Sequence, residues 1–187
     1  MKILRVFSVA SVCLIIVVAY GLSFSQPNKS TEYSSDPQAI IDEVSSRGAR
    51  AVILELYTDS DVWYSVLRKI ATGDELWLKA AVALRSGSDA GVSHSLDVTV
   101  GEALEHAPEQ VLRIASQSFG LRTICGGPDV DDIRYDSYEL SMQAIERRKK
   151  RVAAISDSDL KSTRDKCINY LEASKSGIAR FYEVDTK

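Results

Sequence analysis

Apolar residues spaced three and four apart, in short runs bounded by capping residues, are the feature of this sequence that most limits its fold. Ile40 and Val44 share one helical face, which follows Asp36 and Pro37 and precedes Gly48. Aspartate is a favoured N-cap, proline is favoured at the first helical position, and glycine ends helices. The pattern therefore predicts a helix that begins after Asp36 and stops at Gly48.

The same spacing predicts seven more helices along the chain. They cover residues 51–57, 60–72, 74–85, 89–107, 108–115, 138–155 and 160–181. Residues 51–57 are rich enough in branched side chains for a short strand, but their helical spacing and neighbourhood favour a helix. Ser60 or Asp61 is the expected N-cap of the third helix. The sequence predicts an all-α fold, an irregular bundle or stack of about seven to eight helices.

Composition narrows the class of protein. The chain has 187 residues, of which 45% are hydrophobic, with 4 Pro and 10 Gly, so it is neither collagen-like nor compositionally disordered. Its 23 basic residues against 26 acidic ones, a net charge of -3, give no reason to expect a nucleic-acid partner. Residues 36–187 are expected to form a single helical domain.

The N-terminal segment has the layout of a secretory signal. Lys2 and Arg5 precede an apolar run, and small residues follow it up to residue 25. Residues 1–25 are therefore predicted to be a cleaved signal, so that Cys13 leaves with it. The alternative is an uncleaved inner-membrane anchor at residues 6–24, since about 20 apolar residues can cross a bilayer. Residues 26–35 are polar and predicted to be a flexible tether.

Two cysteines remain after the signal, Cys125 and Cys167. An isolated pair in an oxidising compartment such as the periplasm is expected to form a disulfide. Such a bond would close a loop of about 43 residues, worth roughly 4 kcal/mol in the chain-entropy description.

Residues 118–133 are predicted to be the one long irregular stretch, and such loops are often functional. Three carboxylates lie near its end, Asp129, Asp131 and Asp132. They do not fit a calcium loop of the EF-hand type, which needs glycine where Arg134 stands and an acidic residue where Leu140 stands. The favoured interpretation is that Asp131 and Asp132 cap the following helix. No metal or cofactor is predicted.

The aromatic residues beyond the aspartates are candidates for recognition. Tyr135 and Tyr138 offer large contact areas with polar tips, although packing in the core is an equal alternative for them. The two histidines, His94 and His106, are twelve residues apart and are interpreted as surface residues. The basic run at residues 147–151 is interpreted as a solvated helix paired with acidic neighbours such as Glu146 and Asp157. A docking patch for an acidic partner or for anionic lipid is its alternative.

The sequence of residues 51–181 resembles that of small exported bacterial proteins of uncharacterised activity. The resemblance is carried by Trp63, the run at residues 70–74, Trp77, the run at 89–91 and Pro108, and Cys125, Gly126, Pro128, Asp129 and Cys167 fit it. In architecture the chain also resembles periplasmic immunity proteins of contact-dependent toxin systems, which are small, helical and disulfide-bonded. That resemblance implies a class of function and no site residues.

These observations favour a non-enzymatic binding protein of the cell envelope, with an immunity or inhibitor role as its specific form. Its expected partner is a protein held by the Cys125 loop, through Asp129, Asp131, Asp132, Tyr135 and Tyr138. The first alternative is a small envelope hydrolase that uses carboxylates of the same loop and Glu139 as acid and base. The second is a structural module held at the membrane by residues 6–24.

Overall fold

The fold is known from a computed structural model, which describes Tyr33 and residues 35–183. The predicted signal and most of the predicted tether lie outside the described residues. Within them the chain has seven α-helices of ten or more residues and three short ones, and no strand: α1 (Pro37–Arg47), α2 (Ala49–Thr58), α3 (Ser60–Ala71), α4 (Glu75–Arg85), α5 (Ala90–Glu102), α6 (Pro108–Gln110), α7 (Ser116–Phe119), α8 (Leu121–Ile124), α9 (Tyr138–Ala153) and α10 (Lys161–Phe181). A short 3₁₀ segment, Ala103–Glu105, follows α5, and a π-helical segment, Val111–Ala115, joins α6 to α7, so residues 108–115 are helical as predicted. The predicted all-α class is confirmed, and residues 51–57 are helical.

Aspartate carboxylates start most of the early helices. Asp36 accepts a backbone N–H of the first turn of α1, as the sequence predicts, and Asp74 and Asp89 do the same for α4 and α5. For α3 the expected cap, Ser60 or Asp61, is wrong by one or two residues. Asp59 has extended backbone, and its Oδ1 accepts the amides of Asp61 and Val62 at 3.0 and 3.3 Å.

One hydrophobic core joins the long helices. It runs from Ile40 in α1 through Leu96 in α5 to Ile178 in α10, and all three side chains are buried. Helix α1 packs on α2 and α4, α3 packs on α5, and α9 packs along α10. None of the described helices is both long and apolar enough to span a membrane.

The irregular stretch is shorter than the sequence pattern indicates. Residues 116–119 and 121–124 form α7 and α8, separated by Gly120, whose positive φ of 77° lets the chain turn between them. Only the segment from Cys125 to Asp132 lacks helix, and a 3₁₀ turn, Ile133–Tyr135, follows it. The Cys125 loop is therefore a segment of eight residues, Cys125 to Asp132, and not an irregular stretch over residues 118–133.

The predicted disulfide is present. Cys125 and Cys167 are bonded, with their Cα atoms 5.3 Å apart, and both side chains are fully buried. The bond ties the end of α8 to the first half of α10. It therefore fixes the start of the Cys125 loop against the helical core.

A close backbone approach at Gly87 gives a stability prediction. Gly87 lies in the turn after α4, and a Cβ atom placed on it would lie 2.3 Å from the Arg50 backbone nitrogen, so alanine there must push this turn away from α2. Such overpacking typically costs 1–3 kcal/mol, and we expect Gly87→Ala to lower the free energy of unfolding by about 2 kcal/mol. Urea denaturation followed by circular dichroism measures the change.

Gly91 is the matched control for that experiment. It lies in the first turn of α5, and a Cβ there would meet no atom within 4 Å. Because alanine is the better helix former, Gly91→Ala should raise the free energy of unfolding by roughly 0.5 kcal/mol. Equal losses in the two variants would contradict the proposed contact between α2 and the turn after α4.

Candidate functional site

A groove between α3 and α5 is the main candidate site, and we call it the α3–α5 groove. It consists of two adjoining cavities of about 550 and 310 Å³. Both cavities are lined by Arg68 and Ala71 of α3, by Glu102 at the end of α5, and by Arg134 of the 3₁₀ turn. The segment that follows the Cys125 loop therefore lines the same groove as the two packed helices.

Helical periodicity gives the groove its two long sides. On α3 the lining residues are spaced three and four apart, which places them on one face: Tyr64, Leu67, Arg68 and Ala71. On α5 the lining face includes Ser95 and Val98 between His94 and Glu102. The apolar side chains Leu67, Ala71 and Val98 give the groove an apolar lining among polar groups.

Arg134 joins the loop segment to α5. Its Nη1 donates to Glu102 at 3.2 Å, and its Nε donates to both carboxylate oxygens of Asp132 at 3.0 Å. These hydrogen bonds from Arg134 lower the pKa of Asp132 below its ordinary value. The guanidinium also lies 5.5 Å from the centre of the Tyr135 ring. The salt bridge therefore sets the position of the 3₁₀ turn against the groove.

His94 makes a second link between α5 and the loop. Its Nε2 lies 3.1 Å from Oδ2 of Asp129, and the histidine side chain is 64% exposed while that of Asp129 is 20% exposed. The other oxygen of Asp129 accepts the Asp131 amide at 3.3 Å. The histidine is on the surface, as the sequence indicates, but it also bonds an aspartate that the sequence places 35 residues away.

The five predicted site residues take different positions. Asp129 and Asp132 line the larger cavity, and Tyr135 lines the smaller one. Asp131 is exposed and Tyr138 packs partly buried against the core, so neither lines the groove. The structure therefore brings three of the five together.

Tyr135 is a buried residue of the fold and not an exposed residue available to a partner. It is only 7% exposed, and burial raises the pKa of its hydroxyl above the ordinary value. Its carbonyl oxygen accepts hydrogen bonds from the hydroxyl groups of Ser141 and Tyr182. Core packing, the alternative that the sequence left open, thus describes this ring in the folded chain.

The predicted capping role of the aspartates is only partly right. Asp132 caps the 3₁₀ turn by accepting the Arg134 amide at 2.8 Å. Helix α9 is capped instead by Ser137, whose Oγ accepts the Leu140 amide at 3.2 Å. The turn inserted between Asp132 and the helix separates the acidic residues from the helix N-terminus.

Most side chains of the basic run of α9 make ion pairs or hydrogen bonds, and three of them bind the segment that follows α5. Arg147 and Arg148 both donate to Glu105, at 2.8 and 3.3 Å. Arg151 donates to the backbone oxygens of Glu105 and His106, at 3.0 and 3.1 Å. Lys149 pairs with Glu146 as expected, and with Glu172. Asp157 is not its partner, because it pairs with Arg113.

Several residues in or beside the groove were not predicted from the sequence as site residues. Arg68 and Glu102 carry no motif, and they became notable only because α3 and α5 pack together. Tyr64 and Ile133 are 58% and 83% exposed although both are large apolar side chains. Tyr64 could have been noticed, since it falls outside the apolar face that Trp63, Val66 and Ile70 define.

Among the described residues no group of three or more histidine, cysteine or acidic side chains could hold a metal ion. The fold and the groove define a class of protein, an all-α, disulfide-bonded domain with a groove on its surface. Comparisons with protein-family models, with curated proteins and with solved structures found no match to this chain. The resemblance to small exported helical proteins therefore stays a prediction.

Proposed function

We propose that this protein is an exported, non-enzymatic binding protein of the bacterial cell envelope, and that a partner protein docks in the α3–α5 groove. The observation that carries the proposal is the exposure of two large apolar side chains at this site. Tyr64 lines the groove, and Ile133 lies in the turn between the lining residues Asp132 and Arg134. Exposed apolar groups are typical of protein interaction sites when they form a contiguous surface rimmed by polar residues, and Tyr64 shares the groove lining with Leu67, Ala71 and Val98.

The rigidity of the groove also supports binding. The disulfide holds one end of the Cys125 loop, and Arg134 and His94 link the following segment to α5. A preformed surface loses less conformational entropy when a partner binds. A disulfide further favours an oxidising compartment, which for an exported bacterial protein is the periplasm. An immunity or inhibitor role is the more specific form of this proposal.

The hydrolase alternative has weaker support. Asp132 keeps a lowered pKa, which suits an ion-pair partner better than a general acid. Asp97 is the carboxyl group that best fits acid chemistry, because burial raises its pKa, and it lines a cavity of about 260 Å³ with His94 and Asp129. A hydrolase predicts turnover of an envelope substrate without a stoichiometric partner.

The binding proposal predicts loss of the partner when the exposed apolar groups are removed. Affinity capture from native envelope extract should recover one main protein with the wild-type chain as bait. The double variant Tyr64→Ala, Ile133→Ala should bind that protein at least tenfold more weakly, since buried aromatic and aliphatic anchors dominate interface energies. Quantitative mass spectrometry, followed by calorimetry with the captured protein, measures the loss.

Leu54→Ala is the control variant for this experiment. Leu54 is 60% exposed on α2 and does not line the groove, so its removal should change the affinity less than twofold. Tyr135→Ala is unsuitable as a test, because Tyr135 is buried and its loss would disturb the fold. If the double variant captures the partner as well as the wild type, the groove is not the binding site.

A further inference from the structure

The carboxylates of the α3–α5 groove all have hydrogen-bond donors within the protein. Four acidic side chains line it, and all eight of their oxygens are within hydrogen-bond distance of a donor: Glu102, Glu105, Asp129 and Asp132. Their donors are arginine side chains, the His94 ring and backbone amides. Most of the negative charge of this lining therefore already faces a cationic or N–H donor of the protein itself.

Arg68 is in the opposite state. It is exposed and lines both cavities, yet within the described part of the chain it makes no ion pair and no side-chain hydrogen bond. Arg134, the other arginine of the groove, is held by Glu102 and Asp132. A guanidinium carries five N–H donors in a planar fork that matches a carboxylate. Among the described residues Arg68 is therefore an arginine of the groove lining whose donors are free to bind a ligand.

Apolar surface lies on both sides of Arg68. Leu67 and Ala71 are its neighbours on the same face of α3, and Val98 lines the groove from α5. The larger cavity, at about 550 Å³, is in the size range of sites that bury a ligand side chain. A ligand that binds here can place an apolar side chain in the cavity and an anionic group on Arg68.

We propose that the α3–α5 groove recognises an acidic segment of its protein partner, with a carboxylate on Arg68 and an adjacent apolar side chain against Leu67 and Val98. This inference rests on the proposed binding function and specifies the chemistry of the partner. Charge complementarity determines the choice, because an arginine–carboxylate pair can form without breaking any existing hydrogen bond of the groove. A basic segment would meet Arg68 with like charge.

Three matched sets of fluorescein-labelled twelve-residue peptides test the inference. Every peptide carries a central Leu, Phe or Trp, flanked by Asp and Glu in the first set, by Asn and Gln in the second, and by Lys and Arg in the third. Binding to the protein expressed from its full sequence is measured by fluorescence anisotropy in low and in physiological salt. The best acidic peptides should bind at least tenfold more tightly than their neutral counterparts, and salt should weaken them most.

Substitution of the arginine then ties the preference to the groove. Arg68→Glu should weaken the acidic peptides at least tenfold and favour the basic set, and Arg68→Gln should weaken them several-fold. Arg50→Glu is the matched control, because Arg50 is also exposed but lies on α2 outside the groove lining. This control should change the affinity less than twofold, and circular dichroism should show each variant folded.

Some results would overturn only the inference about an acidic segment, and another would overturn the proposed binding function as well. If the captured protein partner depends on Tyr64 and Ile133 but its affinity is unchanged by Arg68→Glu, the groove binds a partner of different chemistry. The same follows if the neutral or basic peptides bind as tightly as the acidic ones, or if only anionic lipid vesicles bind in an Arg68-dependent way. If neither the partner nor any peptide depends on the groove, both proposals fail.

Discussion

The double variant Cys125→Ala, Cys167→Ala should lose about 4 kcal/mol of unfolding free energy, because its unfolded chain is no longer cross-linked across 42 residues. Both sulfur atoms are in the core, and alanine leaves no buried polar group behind. A loss of this size is a large share of the stability of a typical domain. Urea denaturation at neutral pH, followed by circular dichroism, measures it.

Reduction provides the control for the disulfide prediction. Dithiothreitol should lower the denaturation midpoint of the wild-type chain toward that of the double variant and should leave the variant unchanged. The groove should also respond, since the bond holds the start of the segment that carries Asp129 and Arg134. Hydrogen exchange at residues 125–135 is therefore expected to rise more than exchange in α1 or α2. A variant within 1 kcal/mol of the wild type would contradict the entropic account.

The helices were predictable because their signals are local. An aspartate cap, an apolar face and a terminal glycine all lie within one run of sequence, and Asp36 and Gly48 bound α1 as expected. The disulfide was predictable for another reason, since Cys125 has only one cysteine to pair with once the signal is set aside. The error at α3 is of the smallest kind, because Asp59, Ser60 and Asp61 are all good caps and only packing selects among them.

The groove was not predictable because its parts are distant in the sequence. Arg134 meets Glu102 across 32 residues, and His94 meets Asp129 across 35. No single-sequence pattern encodes such distances, since they depend on how the helices pack. The sequence pattern pointed to residues 129–135, part of which lines the groove, but it assigned recognition to Tyr135, a ring that the fold buries. Whether such a side chain packs inside the fold or remains exposed for a partner depends on how the helices pack.

In the basic run, too, burial could not be predicted from the sequence, and here a residue predicted to be solvated is buried. Five successive cations at residues 147–151 suggested a solvated helix, and Arg147 is indeed about half exposed. Arg148, one residue further, is only 1% exposed and lies beside Glu105. A charge run therefore contained one buried structural arginine that its neighbours concealed.

The ion pair between the buried Arg148 and the partly buried Glu105 leads to the second large prediction, an asymmetry between its two partners. Glu105→Gln removes the negative charge and leaves the Arg148 guanidinium buried without a counter-ion, which typically costs 3–5 kcal/mol. We expect a loss of about 3 kcal/mol in unfolding free energy. Arg148→Met should cost only about 1 kcal/mol, because methionine fills much of the space and Glu105 keeps its bond from Arg147.

A double-mutant cycle measured by urea denaturation tests this asymmetry. Combining Glu105→Gln with Arg148→Met should recover most of the loss caused by Glu105→Gln, since no buried charge then remains. Arg147→Met serves as the control, and its loss should stay under 0.5 kcal/mol because the pair it breaks is half exposed. Additive losses in the double variant would mean that Arg148 is stabilised by packing alone. Coupling would instead mean that Arg148 of α9 and Glu105 hold each other in place. Because Glu105 follows α5 and lines the smaller cavity, this ion pair would then also fix that part of the groove.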